Sequence, residues 1–102
     1  MASQADIDAH RAFAGRFGKN LVRARRATRI SQETLGFETS LHRTEVGTLE
    51  RGVRIPRLDT ALKLARVLGV PIDALVEGIE WSAGARNVGH FREKPHDDPH
   101  GR

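Results

Sequence analysis

Between Ser31 and Gly52 the chain reads SQETLGFETSLHRTEVGTLERG, and this stretch limits the fold more than any other. It carries two short apolar patterns, the first anchored by Leu35 and the second by Val46 and Leu49, which stand one helical turn apart. Between them lie only Thr39, Ser40 and Leu41, enough for a tight turn and nothing longer. Helices below roughly 12 residues are marginal in water, so both need further helices to bury their faces against. Two helices joined this closely meet at a steep angle, so one braces a surface while the other projects a free face.

The punctuation around the pair fits that reading. Ser31 offers a hydroxyl cap to a helix from Gln32 to about Glu38, and the next helix runs from Arg43 to about Arg51 with Gly52 as a left-handed stop. Ahead of them, Phe13, Phe17, Leu21 and Ala24 recur at steps of four, four and three, which predicts a helix from about Asp8 to Ala27 with those residues inward. Arg16, Lys19, Arg23, Arg25, Arg26 and Arg29 cover much of its remaining surface. After Gly52 comes a basic loop, Val53 to Ile55, and Pro56 suits the first turn of a fourth helix ending at Leu68, striped by Leu58, Leu62, Ala65 and Leu68. Gly69 ends it. Pro71 opens a short fifth helix through about Val76, where Ile72, Leu75 and Val76 close the core and Gly78 stops the run.

The sequence therefore predicts an all-α, compact five-helix domain over residues 11–78, preceded by a flexible segment, 1–10. Residues 79–92 form a C-terminal extension. Its IEW and HFR segments each carry a large aromatic, and the glycines between them permit a small hairpin that covers a core edge or pairs across a dimer. From Glu93 onward the chain is polar, with prolines and no apolar anchor, so residues 93–102 read as a disordered tail.

Length and composition narrow the function. A chain of 102 residues is expected to form one domain burying roughly 60–65 % of its unfolded surface, which leaves little room for a pocketed enzyme. No cysteine is present, which excludes disulfides and thiolate zinc sites and favours a reducing cytoplasm. No stretch approaches the roughly 20 apolar residues that span a bilayer, so no membrane partner is expected. Residues 11–66 hold 13 Lys or Arg against 5 Asp or Glu, a concentration of positive charge suited to a polyanion. No phosphate-binding loop, dinucleotide fingerprint or nucleophile elbow occurs. His90, His96 and His100 with Asp97 and Asp98 lack regular ligand spacing. Neither catalysis, cofactor nor metal is expected.

Several of these residues recur together in one family. Ser31-Gln32-Glu33 before Leu35, Leu41 in the turn, Arg43 and Thr44 opening the third helix, and Leu49-Glu50-Arg51-Gly52 closing it are followed by Pro56 and LKLARVLGVPIDALV at 62–76. This run, from Phe17 to Glu77, resembles the DNA-binding domain of the phage lambda repressor and Cro family, the xenobiotic-response-element type of helix-turn-helix. The resemblance covers about 60 of the 102 residues. It implies a cytoplasmic, bacterial or phage-type transcriptional regulator whose partner is double-stranded DNA, acting as a homodimer on a palindromic operator read through helix 43–51. The alternative is an antitoxin-like or regulatory module that keeps the fold but binds another protein.

Site roles follow position by position. Val46 and Leu49 define the inner face of the third helix, so Arg43, Thr44, Gly47 and Thr48 fall outward and are the expected base contacts. An arginine fork at Arg43 suits guanine O6 and N7, and threonine methyls suit a thymine methyl. Gln32 stands at a helix N-terminus, where the dipole and free amides favour a phosphate. Arg51, Arg54 and Arg57 follow the recognition helix and are the expected further phosphate contacts. Glu45 has a local role in satisfying first-turn amides rather than a cytosine contact. The resemblance makes Glu50 a structural ion-pair partner of Arg25 or a neighbour. Leu75 and Val76 with the Trp81 region are a candidate dimer interface.

Two positions depart from the family pattern. Ser40 stands where glycine is usual and must carry roughly 1 kcal/mol of left-handed strain. His42 replaces the usual Ser, Thr or Asp helix cap. Gly36 and Gly47 each lower helix propensity by about 1 kcal/mol relative to alanine, which implies a close helix contact at Gly36 and close approach to DNA at Gly47.

Overall fold

The computed structural model describes residues 3–84 and 89–95. Five helices, α1 (Gln4–Thr28), α2 (Gln32–Thr39), α3 (Arg43–Glu50), α4 (Leu58–Leu68) and α5 (Ile72–Val76), precede two strands, β1 (Ile79–Ser82) and β2 (His90–Glu93). The architecture is the five-helix one expected from the sequence, with the hairpin added.

α1 begins earlier than its apolar spacing indicates. The Ser3 hydroxyl accepts the Asp6 N–H at 3.1 Å while the Asp6 carboxylate accepts the Ser3 N–H at 3.3 Å, a reciprocal cap that starts the helix at Gln4. The lead-in expected to be flexible is thus helical over residues 4–10. The Ser-x-x-Asp signal was present, but no apolar stripe extends over it. α1 closes at Arg29, which takes a left-handed φ of 62° without being glycine.

The core is built from Phe17 and Leu21 of α1, Leu35 of α2, Val46 and Leu49 of α3, Ala61, Leu64, Ala65 and Leu68 of α4, and Leu75 of α5. Each fully buried leucine or phenylalanine contributes about 1.5–3 kcal/mol relative to exposure. Phe13, Ala24, Ile72 and Val76 pack partly buried around this centre. The stripe expected on α4 is rotated. Leu58 and Leu62 are exposed, while Thr60, Ala61 and Leu64 turn inward. Both sets satisfy three-four spacing, so periodicity alone did not choose between them. Helix α4 also starts at Leu58, with Pro56 still in the preceding loop. Leu75 is fully enclosed, which removes it from any subunit interface.

Two features that hold α1 to the rest have no periodic signature. A Cβ added at Gly18 would lie 2.6 Å from the carbonyl oxygens of both Leu49 and Glu50, so only glycine lets the end of α3 press against α1. Asn20, buried within α1, donates its side-chain amide to the carbonyls of Leu75 (3.0 Å) and Glu77 (2.9 Å). It thereby satisfies acceptors at the end of α5 that the helix itself leaves unpaired.

The strands pair antiparallel with Trp81 opposite Phe91 and Glu80 opposite Arg92. The Phe91 ring meets Trp81 edge-on at 5.1 Å and Phe13 of α1 at 5.0 Å, fixing the hairpin to the first helix. Arg92 adds an ion pair to Glu80 at 2.7 Å. Glu93, expected to begin a disordered tail, is instead the last residue of β2, and the Lys94 N–H reaches the Gly78 carbonyl at 2.5 Å. The tail expected over 96–102, with His96, His100, Asp97 and Asp98, lies outside the described residues.

Candidate nucleic-acid interface

The turn between α2 and α3 is made by Ser40, which adopts the left-handed conformation (φ 61°) that its position requires. Its N–H returns to the carbonyls of Gly36 and Phe37, and the Leu41 N–H bonds Gly36 at 2.7 Å. A Cβ at Gly36 would stand 2.6 Å from the Leu41 carbonyl and 3.2 Å from the Arg43 nitrogen. The backbone of the turn therefore touches α2 where the side chain is missing, the close contact expected there. Ser31 caps α2 by accepting the Thr34 N–H at 2.9 Å, and His42 caps α3 with Nδ1, which accepts the Thr44 N–H at 3.1 Å. Only a neutral imidazole offers that lone pair.

Behind the pair, Glu50 organises two side chains, Arg25 and Gln32. Arg25 donates Nε to Oε2 at 2.5 Å and Nη2 to Oε1 at 3.1 Å, and its Nη1 reaches the Ile30 carbonyl at 3.0 Å. The pair is largely buried, with 15 % of the Arg25 side chain and 5 % of the Glu50 side chain exposed. The hydrogen bond to Glu50 raises the Arg25 guanidinium above its ordinary, already strongly basic value, against the opposing effect of burial. Gln32 Nε2 donates to Glu50 Oε1 at 2.8 Å, which fixes the rotamer of a side chain at the start of α2. A second amide hydrogen remains for another acceptor.

The expected contact residues do not share one environment. Arg43 is two-thirds exposed at the first position of α3, and Thr44 beside it is exposed. Thr48 is half-buried, its hydroxyl bonded to the Thr44 carbonyl at 2.8 Å. Gly47 is not on the open face. It is buried beneath the Arg51 guanidinium and the Gln32 amide, which an added Cβ would meet at 3.1 Å and 3.7 Å. Gly47 thus forms the floor on which Arg51, one turn on, and Gln32 of α2 lie, and the Gln32 contact is one that the face diagram of α3 alone does not reveal. Arg54 and Arg57 follow in the loop, Arg54 paired with Glu45 at 3.3 Å and Arg57 with Asp59 at 3.2 Å. Glu45 therefore turns to Arg54 rather than to the first-turn amides.

This surface combines a braced two-helix unit, an exposed arginine at the start of the projecting helix, and further arginines beside it. The helix-turn-helix family model matches residues 21–75, more than half of the chain. The chain belongs to the lambda-repressor and Cro-like helix-turn-helix family. This helix-turn-helix chain is 43 % identical over 61 residues to the control protein C.BamHI of Bacillus amyloliquefaciens, an alignment covering 58 % of this chain and 75 % of that protein. It is similar to the restriction-modification controller protein C.AhdI of Aeromonas hydrophila, with 42 % identity, a TM-score of 0.59, and coverage of 61 % of this chain and 94 % of that one. The P22 c2 repressor, solved with a synthetic operator, shares the fold at 24 % identity and a TM-score of 0.57, over 61 % of this chain and 94 % of its own. The family match leaves out most of α1 before Leu21, together with the hairpin. No helix among the described residues is long and apolar enough to cross a membrane.

Proposed function

We propose that this chain is a sequence-specific transcriptional regulator that places α3 in the major groove of duplex DNA and acts as a homodimer on a two-fold symmetric operator. The observation that carries the reading is the placement of Arg43, exposed at the leading end of α3 on a turn fixed by Gly36, Ser40 and His42. Its fork, resting in an exposed pair on Glu33 at 3.1 Å, reaches guanine O6 and N7 once that pair opens, with Thr44 and Thr48 beside it for base edges. Gln32 and Arg51, lying together over Gly47, take phosphates, and Arg54 and Arg57 extend the backbone contact along the following loop. The two controller proteins, each above 40 % identity, support a regulatory role of that class. Since one helix reads only a few base pairs, two copies with half-sites about 34 Å apart supply usable specificity.

Selection of duplexes from a random pool by the purified chain tests this. The expected result is a palindromic consensus with half-sites one helical turn apart. Arg43→Ala is expected to lose about 1–3 kcal/mol on that consensus and to relax preference at one base pair per half-site. Equal loss on consensus and random duplex would remove base readout from Arg43. Failure to bind any duplex at low salt would instead favour the protein-interaction alternative.

A further inference from the structure

Four arginines open or flank α3, and three of them already hold an acid. Arg43 Nη1 is 3.1 Å from Glu33 Oε2, Arg54 Nη2 is 3.3 Å from Glu45 Oε2, and Arg57 Nε is 3.2 Å from Asp59 Oδ1, which also accepts the Thr60 N–H at 2.9 Å. Arg51 is the exception among the described residues, its Nη2 touching only the Thr48 hydroxyl at 3.4 Å. Glu33, Glu45 and Asp59 all stand in the first turns of their helices, where a carboxylate favours the helix dipole whichever way it leans. That preference does not require each to lean on an arginine of this surface. Exposed pairs of this kind contribute little to stability, so their effect falls on what the arginines bind.

We infer that Glu33, Glu45 and Asp59 act as built-in competitors for phosphate, setting how strongly the α3 surface takes up any polyanion. The inference rests on the DNA-binding reading above. A carboxylate and a phosphate present the same kind of oxygen acceptor to a guanidinium. A phosphate that takes the arginine must displace the acid. The displaced acid stays tethered within a few ångströms of the incoming charge and repels it. At a separation of about 7 Å in water that repulsion weakens binding roughly threefold per acid at low salt, and the penalty fades as salt shortens the screening length. Three acids together weaken binding to random duplex roughly tenfold or more. The handicap is heavier on random duplex, where phosphate contact is nearly the whole attraction, than on a matched site where Arg43 has a guanine edge to go to.

The test compares the full chain with two triple variants of equal net charge. Glu33→Gln/Glu45→Gln/Asp59→Asn removes the competitors, and Asp8→Asn/Glu38→Gln/Asp73→Asn removes three exposed acids that form no ion pair among the described residues. Affinity for a random 20-base-pair duplex is read by fluorescence anisotropy between about 50 and 200 mM salt, a range over which phosphate-dependent binding changes strongly. The first triple is expected to bind about tenfold tighter than the unmodified chain, with a steeper salt dependence. The second is expected to change by no more than about threefold, through net charge alone. Equal gains by the two triples would overturn the inference. Elution from heparin is read in parallel. If no variant binds duplex, the DNA reading falls, while later elution of the first triple than the second still supports the competitor role and coincident elution overturns it. Circular dichroism verifies folding, and Glu33→Gln alone, expected to gain about threefold, serves if the triple loses helix.

Discussion

Replacing Glu50 with alanine is expected to be among the most damaging single changes in this chain, although the residue touches no core leucine through its charge. Its carboxylate accepts two hydrogen bonds from Arg25 and one from Gln32, and only 5 % of its side chain reaches solvent. Glu50→Ala leaves the Arg25 guanidinium buried without a counter-charge, a situation that costs about 3–5 kcal/mol. A domain of this size has about 5–15 kcal/mol in total. A loss of about 3 kcal/mol lowers the melting temperature by roughly 12–24 °C. Since the raised Arg25 value means its contribution is complete at every pH below its unfolded value and lost only in strong alkali, this pair's stabilisation through Arg25 is constant across about pH 5–9.

A second variant separates charge balance from position. Arg25→Met/Glu50→Leu replaces both ions with apolar groups and is expected to recover most of the stability, as such double replacements commonly do. Duplex binding should stay weak in that variant, because Gln32 has lost the acceptor that holds its amide over Gly47. Urea denaturation followed at 222 nm and anisotropy on the selected duplex measure the two effects. A Glu50→Ala cost below about 1 kcal/mol, the value of an exposed pair, would refute the burial argument. Full recovery of DNA affinity in the double variant would refute the positioning of Gln32.

Two further outcomes separate the glycines and the turn. Gly36→Ala is expected to destabilise by about 1–3 kcal/mol or more, because its Cβ meets backbone at 2.6 Å. Gly47→Ala, whose Cβ meets only mobile side-chain ends at 3.1 Å and beyond, should stay within about 1 kcal/mol of the parent because helix propensity offsets the crowding; thermal melts of both rank them, and the reverse order would overturn the assignment. Ser40→Gly should stabilise by about 0.5–1 kcal/mol by relieving a left-handed φ of 61°, and a destabilisation in the same melts would show that Ser40 has a role beyond the turn.

Much of the frame was legible because its signals act over four residues or fewer. Ser31 and His42 as caps, Gly52, Gly69 and Gly78 as stops, and the Leu35, Val46 and Leu49 anchors are each settled by neighbours along the chain. The pairing of Glu50 with Arg25 was legible for a different reason, through the family resemblance. Where the local rule admits two solutions, apolar spacing does not choose between them. Leu58 and Leu62 fit the same spacing as Ala61 and Leu64, and the choice fell to whichever side of α4 the other helices covered.

The sequence by itself determined the five helices, the turn that sets α2 against α3, and which end of α3 carries an exposed arginine, because backbone propensity, capping and periodicity are written locally. Tertiary structure alone decided that Gly47 of α3 lies under Gln32 of α2, that Asn20 ties α1 to residues 55 and 57 positions away, and that Arg43 of α3 rests on Glu33 of α2. Those are matters of distance between groups remote in the chain or on different helices, and burial and electrostatics act through that distance rather than through sequence separation.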